Sequence, residues 1–197
     1  MSSFRIVVLA SGSGTNLQAI LDTLLGREGI EVAGVGSDKP GARALERAVA
    51  AGVETAAFPI DAYADRTSRD AAMGDWVAAR HADLVVLAGY MQLLTEPFVA
   101  RFRGRVVNIH PALLPSFPGL DAIGQALAAG VQETGVTVHF VDEGVDTGPT
   151  ILQRKRMNCS GGEIWRANRR RGSEKPAFAR FRGIVRPRKI RRVQPAS

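Results

Sequence analysis

Asn108 and His110 stand two residues apart in "VVNIHPALLPSFPG" (residues 106–119), and "DEGVDTGP" (142–149) supplies an acid, Asp146. Side chains two apart on a strand point to the same face. An amide there can donate a hydrogen bond to a developing oxyanion. An imidazole can hold or move a proton near neutral pH. A carboxylate beside the ring fixes its orientation and favours its charged form. The set contains no Ser or Cys, so it does not suggest a covalent acyl intermediate. It suits direct transfer of an acyl group to a nucleophile carried by the substrate. The plainer alternative is that an Asn and a His at a strand end satisfy local backbone groups.

A second set is Gly12-Ser13-Gly14-Thr15-Asn16, between an apolar run and a helical pattern. Glycines let a backbone approach a ligand, and a helix start offers unpaired N–H groups to an anion. The Thr15 hydroxyl and Asn16 amide add donors. The dinucleotide fingerprint would need glycine at 17, where Leu17 stands, and the lysine of a Walker loop is missing. A single-phosphate site fits better than either, and a tight turn that binds nothing is the alternative. The three histidines, 81, 110 and 139, have no metal-ligand spacing, so no metal is expected. His81 reads as a surface or capping residue. His139 sits in an alternating strand, where structural and functional roles are both open. Trp76 reads as core.

These residues need a scaffold, and the pattern supplies an α/β one with a mostly parallel sheet. Strands are expected at 4–10, 30–35, 55–58, 84–88, 106–109, 136–141 and from 150. Helices are expected at 16–25, 42–51, 66–80, 96–102 and 123–129. With 197 residues the chain suits one domain with an appendage, and its single cysteine, Cys159, allows no internal disulfide. No run approaches the roughly 18–20 apolar residues of a membrane span, and no cleavable leader is evident, so a cytoplasmic protein is expected. Nothing in the residues bears on oligomeric state.

The net charge of +7 is unevenly placed. Residues 1–153 carry 11 Lys+Arg against 17 Asp+Glu, whereas residues 154–197 carry 15 against 2. The body is acidic and gives no basic patch for nucleic acid. The domain is therefore expected over 1–153, followed at 154–197 by a basic, disordered tail. That Arg-, Gly- and Pro-rich text is what GC-rich DNA yields in a shifted reading frame, and a frameshift near codon 154 is the expectation. Its rival is a real extension that binds RNA or another polyanion.

"VVLASGSGTNLQAIL", "LVVLAGYMQLL", "VVNIHPALLPSFPG" and "GVTVHFVDEGVDTGPTILQ" together resemble, in order and spacing, the folate-dependent phosphoribosylglycinamide formyltransferases over about residues 4–153. The resemblance implies a Rossmann-like formyltransferase fold and a role in purine biosynthesis. It implies that Gly14, Thr15 and Asn16 hold the 5′-phosphate of glycinamide ribonucleotide. Arg66, Met91, Gln92, Leu93, Leu94 and Asn108, with Asp142, Glu143, Gly144, Val145 and Asp146, would hold 10-formyltetrahydrofolate. Asn108, His110 and Asp146 would be catalytic. Asp121 stands where many members carry His, and the tail has no counterpart. Competing functions are methionyl-tRNA formyltransferase, formyltetrahydrofolate hydrolase, a nicotinamide oxidoreductase disfavoured by Leu17, and a nucleic-acid binder acting through the tail.

Overall fold

A computed structural model describes residues 3–27 and 29–157. Seven strands alternate with five helices: β1 (Phe4–Leu9), α1 (Thr15–Leu24), β2 (Ile30–Ser37), α2 (Arg43–Ala50), β3 (Thr55–Ala57), α3 (Arg66–Ala79), β4 (Leu84–Leu87), α4 (Glu96–Arg101), β5 (Val106–His110), α5 (Ala122–Ala128), β6 (Glu133–Phe140) and β7 (Thr150–Met157). A short 3-10 turn over Ile60–Ala62 precedes α3. One sheet holds every strand, in the order β3-β2-β1-β4-β5-β6-β7. The first five are parallel, β6 runs antiparallel to β5, and β7 runs antiparallel to β6. This is a mostly parallel, Rossmann-like sheet flanked by helices.

The apolar runs follow from burial on both faces. In β1, Ile6 and Val8 enter one core while Val7 and Leu9 enter the other. In β4, Leu84 and Val86 go one way and Val85 and Leu87 the other. A strand covered on both sides reads as continuous rather than alternating hydrophobicity. The first core is closed by Leu17, Ile20, Leu21 and Leu24 of α1 and by Ala44 and Ala48 of α2. The second is closed by Met73 and Val77 of α3 and by Phe98 and Phe102 at α4. Leu17, the residue that breaks the dinucleotide fingerprint, is wholly buried in the first core. Trp76 is half-buried against the second core, edge-on to Phe58 and under the Arg80 guanidinium.

The chain leaves β1 toward β2 on one side, while β4 lies on the other. That reversal opens a crevice at the C-terminal ends of the strands, where ligands bind in open α/β sheets. Its two lips are tied together: the Ser11 N–H donates to Gly89 O at 3.0 Å, and the Met91 N–H donates to Ser11 Oγ at 2.7 Å. A buried pair supports the lip after β4. Arg69 donates from Nε and Nη2 to Asp70 Oδ1 at 2.9 and 2.6 Å, and Asp70 Oδ2 accepts the Thr95 N–H at 2.7 Å.

Two boundaries differ from the sequence expectation at the antiparallel end. β6 begins at Glu133 rather than 136, and β7 continues to Met157, past the expected domain boundary at 153. Backbone pairing with β6 carries β7 onward, with Val136 opposite Arg154 and Gly135 opposite Lys155. An edge strand needs no apolar side chains on its solvent face, so the change to basic composition is not a break in structure. From residue 158 on, the expected tail lies outside the described residues.

Candidate active site

Strand β5 carries Val107 and Ile109 into the first core, so the alternate residues Asn108 and His110 face the other way, at the open end of the sheet. β6 lies antiparallel to β5 and sets His139 directly opposite Asn108. The loop between β6 and β7 then returns Asp146 over both. Asp146 has a left-handed backbone, φ 56°, a conformation Asp tolerates better than most residues.

Four donors converge on the Asp146 carboxylate. Oδ1 receives Asn108 Nδ2 at 3.1 Å and lies 3.3 Å from His139 Nε2. Oδ2 receives the Gly119 N–H at 2.8 Å and lies 3.2 Å from His110 Nδ1. An ionised carboxylate offers about four lone-pair sites, so this one is fully engaged. Burial alone would raise the Asp146 carboxyl. The His139 hydrogen bond, the Gly119 N–H and the charges of His110 and His139 outweigh burial and hold it down at about 2. Asp146 is thus an anion throughout the physiological range. The far nitrogen of His110, Nε2, sits 2.8 Å from Phe117 O.

The glycine-rich turn lies at the other lip. Gly14 has φ 70°, and a Cβ there would come within 2.7 Å of Ala44 Cα, so the loop packs on α2 more tightly than any side chain permits. The Ala44 N–H donates to Gly12 O, and Arg47 donates from Nε to Ser13 O and from Nη1 to Gln18 Oε1. No side chain caps α1 and no acid occupies its first turn. Thr15 is exposed and Asn16 half-buried at that helix start.

The residues expected around a folate divide into two groups. Met91 and Leu93 are exposed on the loop after β4, while Leu94 packs against the second core. Gln92 bridges Asp38, to which it donates at 3.2 Å, and Arg69. In the loop after β6, Asp142 Oδ1 accepts the Thr147 hydroxyl and the Gly144 N–H, which shapes the turn over Glu143 and Val145. Arg66 is exposed at the first position of α3, inside the Asp65–Ser68 capping box. Asp121 caps α5 by accepting the Gly124 N–H. His81 is exposed just past α3, with φ 49°.

His139 is the member of the cluster that sequence reasoning left open. Its signal was present: Thr137 and His139 are polar on the face opposite Val138 and Phe140, in a strand otherwise bound for the core. Only the antiparallel register shows that His139 meets Asn108. Among the described residues no group of three or more His, Cys, Asp or Glu side chains is placed to hold a metal ion.

A Rossmann-like sheet with an amide, two imidazoles and a carboxylate gathered at the C-terminal ends of its strands has the layout of an α/β enzyme. The pattern of the formyl transferase family matches residues 4–159. The chain belongs to that family. Phosphoribosylglycinamide formyltransferase of Bacillus subtilis is 41% identical over 152 residues, which are 76% of this chain and 77% of that protein. The trifunctional purine biosynthetic protein adenosine-3 of Drosophila melanogaster is 49% identical over 152 residues, and there the match spans only 11% of the relative. The crystal structure of glycinamide ribonucleotide transformylase 1 from Symbiobacterium toebii superposes with a TM-score of 0.82 at 47% identity, covering 96% of this chain and 86% of that one.

Proposed function

We propose that the chain transfers the formyl group of 10-formyltetrahydrofolate to the amine of glycinamide ribonucleotide, in the cytoplasm, as a step of purine biosynthesis. The observation that carries the reading is the convergence of Asn108, His110 and Asp146 at the end of β5, in a chain whose relatives bear that activity in their names. Gly14, Thr15 and Asn16 take the 5′-phosphate on the start of α1, where unpaired N–H groups and the helix dipole favour an anion. Exposed Met91, Leu93 and Val145 supply apolar surface for the flat pterin, and Arg66 supplies a cation for the acidic end of the folate.

The folate brings the formyl carbon. The amine nitrogen of the ribonucleotide attacks that carbon, and its carbonyl oxygen becomes an oxyanion. Asn108 donates to this oxygen and His110 donates beside it. The C–N bond to the folate then breaks, and the folate nitrogen receives a proton as the attacking amine loses one. His110 passes that proton in this reading, supported by Asp146 Oδ2, which lies 3.2 Å from its Nδ1. The side chains that converge here are an amide, two imidazoles and a carboxylate, which suits attack without a covalent enzyme intermediate.

Formyl transfer to glycinamide ribonucleotide, followed by loss of the formyl folate, is the direct test. His110→Ala is expected to lower kcat by on the order of 10²–10⁴-fold while the protein still melts cooperatively. A parent chain that formylated only a different acceptor would show that the substrate is another.

A further inference from the structure

The glycine-rich turn is held from behind by α2, and Arg47 is the side chain that holds it. Nε of Arg47 donates to Ser13 O at 2.8 Å, and Nη1 donates to Gln18 Oε1 on α1 at 2.9 Å. Its Cδ lies against Gly14, where an added Cβ would meet it at 3.1 Å. One turn earlier on α2, the Ala44 N–H donates to Gly12 O at 3.1 Å. Two successive carbonyls, those of Gly12 and Ser13, therefore point at α2. Both peptide bonds are trans, and in a planar trans peptide the N–H points opposite to the C=O. The N–H groups of Ser13 and Gly14 are thus turned away from α2. Gly14 O accepts the Gln18 N–H at 2.8 Å along α1, which turns the Thr15 N–H back out of the helix start. Among the described residues no oxygen accepts from any of these three N–H groups.

The charge of Arg47 is also left open. The guanidinium is half-buried, yet no carboxylate among the described residues lies within ion-pair distance of it, whereas Arg5, Arg69, Arg80 and Arg101 each have one. The acid reached along its bonds is Asp22, and only through the neutral Gln18 amide, whose Nε2 donates to Asp22 Oδ1 at 2.8 Å. A row of outward N–H groups backed by an unpaired cation suits an anion, and most of all a doubly charged phosphate monoester.

We propose that Arg47 is a positioning residue for the phosphate end of the ribonucleotide: it fixes the Ser13 carbonyl on the α2 side so that the Gly14 N–H faces the anion, and its unpaired charge stands behind the turn. Arg47 acts through the backbone of the turn and does not itself bond the phosphate. The proposal rests on the reading that Gly14, Thr15 and Asn16 take the 5′-phosphate, and it says how that turn is set.

Amide proton–nitrogen NMR of the full chain tests it, with ribose 5-phosphate as the probe and ribose as the control. The signals of Gly14, Thr15 and Asn16 are expected to move with ribose 5-phosphate and not with ribose. In Arg47→Met the same movement is expected to need about tenfold more probe. Arg47→Lys, which keeps the charge and one donor, is expected to lie between the two. Arg43→Met removes an exposed charge of the same helix that makes no bond to the turn among the described residues, and is expected to bind within about twofold of the parent. Phosphate taken up only by the basic segment would leave the three signals unmoved and overturns the proposal. Equal weakening in Arg43→Met and Arg47→Met also overturns it, since general charge would then explain the effect. In formyl transfer, Arg47→Met is expected to raise KM for glycinamide ribonucleotide about tenfold, with KM for the formyl folate and kcat each within about threefold. A fall in kcat with both KM values unchanged overturns the proposal. If Arg47→Met does not melt cooperatively, Arg47→Gln and Arg47→Lys carry the same comparison. A parent that binds ribose 5-phosphate at the turn but does not formylate glycinamide ribonucleotide refutes the proposed substrate and leaves the role of Arg47 standing.

Discussion

Asp146 carries more of the site than its position in a polar loop suggests. Burial pushes its carboxyl up, but the His139 hydrogen bond, the Gly119 N–H and the charges of His110 and His139 hold it at about 2, below the ordinary 3.8. A carboxyl depressed in the folded state stabilises the protein above its unfolded value and loses that contribution as pH falls through its folded value. The window here runs from about 4 down to about 2. In urea unfolding, the parent is expected to exceed Asp146→Asn by a pH-dependent margin on the order of 2 kcal/mol at pH 7, unchanged to about pH 5 and mostly gone near pH 2. A margin flat across that range would mean that the four donors do not act on the ionised form.

The elements owe their placement to buried polar ties as well as to apolar faces. Arg69 of α3 is fully buried and Asp70 beside it is 1% exposed, and through Thr95 the pair anchors the start of α4 and the loop that carries Met91 to Leu94. Replacing a buried ion pair wholesale can be neutral, but removing one partner strands the other. Arg69→Met is therefore expected to cost about 3–5 kcal/mol in chemical unfolding, and Arg69→Met with Asp70→Asn to recover a substantial part. If the double variant is as unstable as the single one, the loss lies in packing around α3 rather than in an uncompensated carboxylate. The helices and parallel strands were legible to within a few residues because a 3.6-residue apolar period, Gly stops and continuous apolar runs are local signals. The direction and register of β6 and β7 were not. A side-chain period of two is the same for parallel and antiparallel strands, and only the partner strand distinguishes them.

Across the whole molecule, charge is segregated. The body through residue 153 is acidic by six charges, and residues 154–197 are basic by thirteen. Any polyanion binding must then reside in the basic segment, and it must weaken steeply with salt through counterion release. A fluorescent single-stranded RNA is expected to bind the full chain with an affinity that falls as salt rises, and to show no binding to a chain ended at Met157. Binding that survived the truncation would place a nucleic-acid surface on the body. No helix among the described residues is long and apolar enough to cross a membrane.

Residue order along the chain specified the α/β class, the glycine-rich turn and the pairing of Asn108 with His110 on one face, since each depends on neighbours a few positions away. The folded sheet alone decided that Asp146, 36 residues beyond His110, lies over that face, and that His139 stands opposite Asn108. Those contacts join groups on different strands, whose meeting depends on antiparallel register and loop return, and no short-range spacing encodes either.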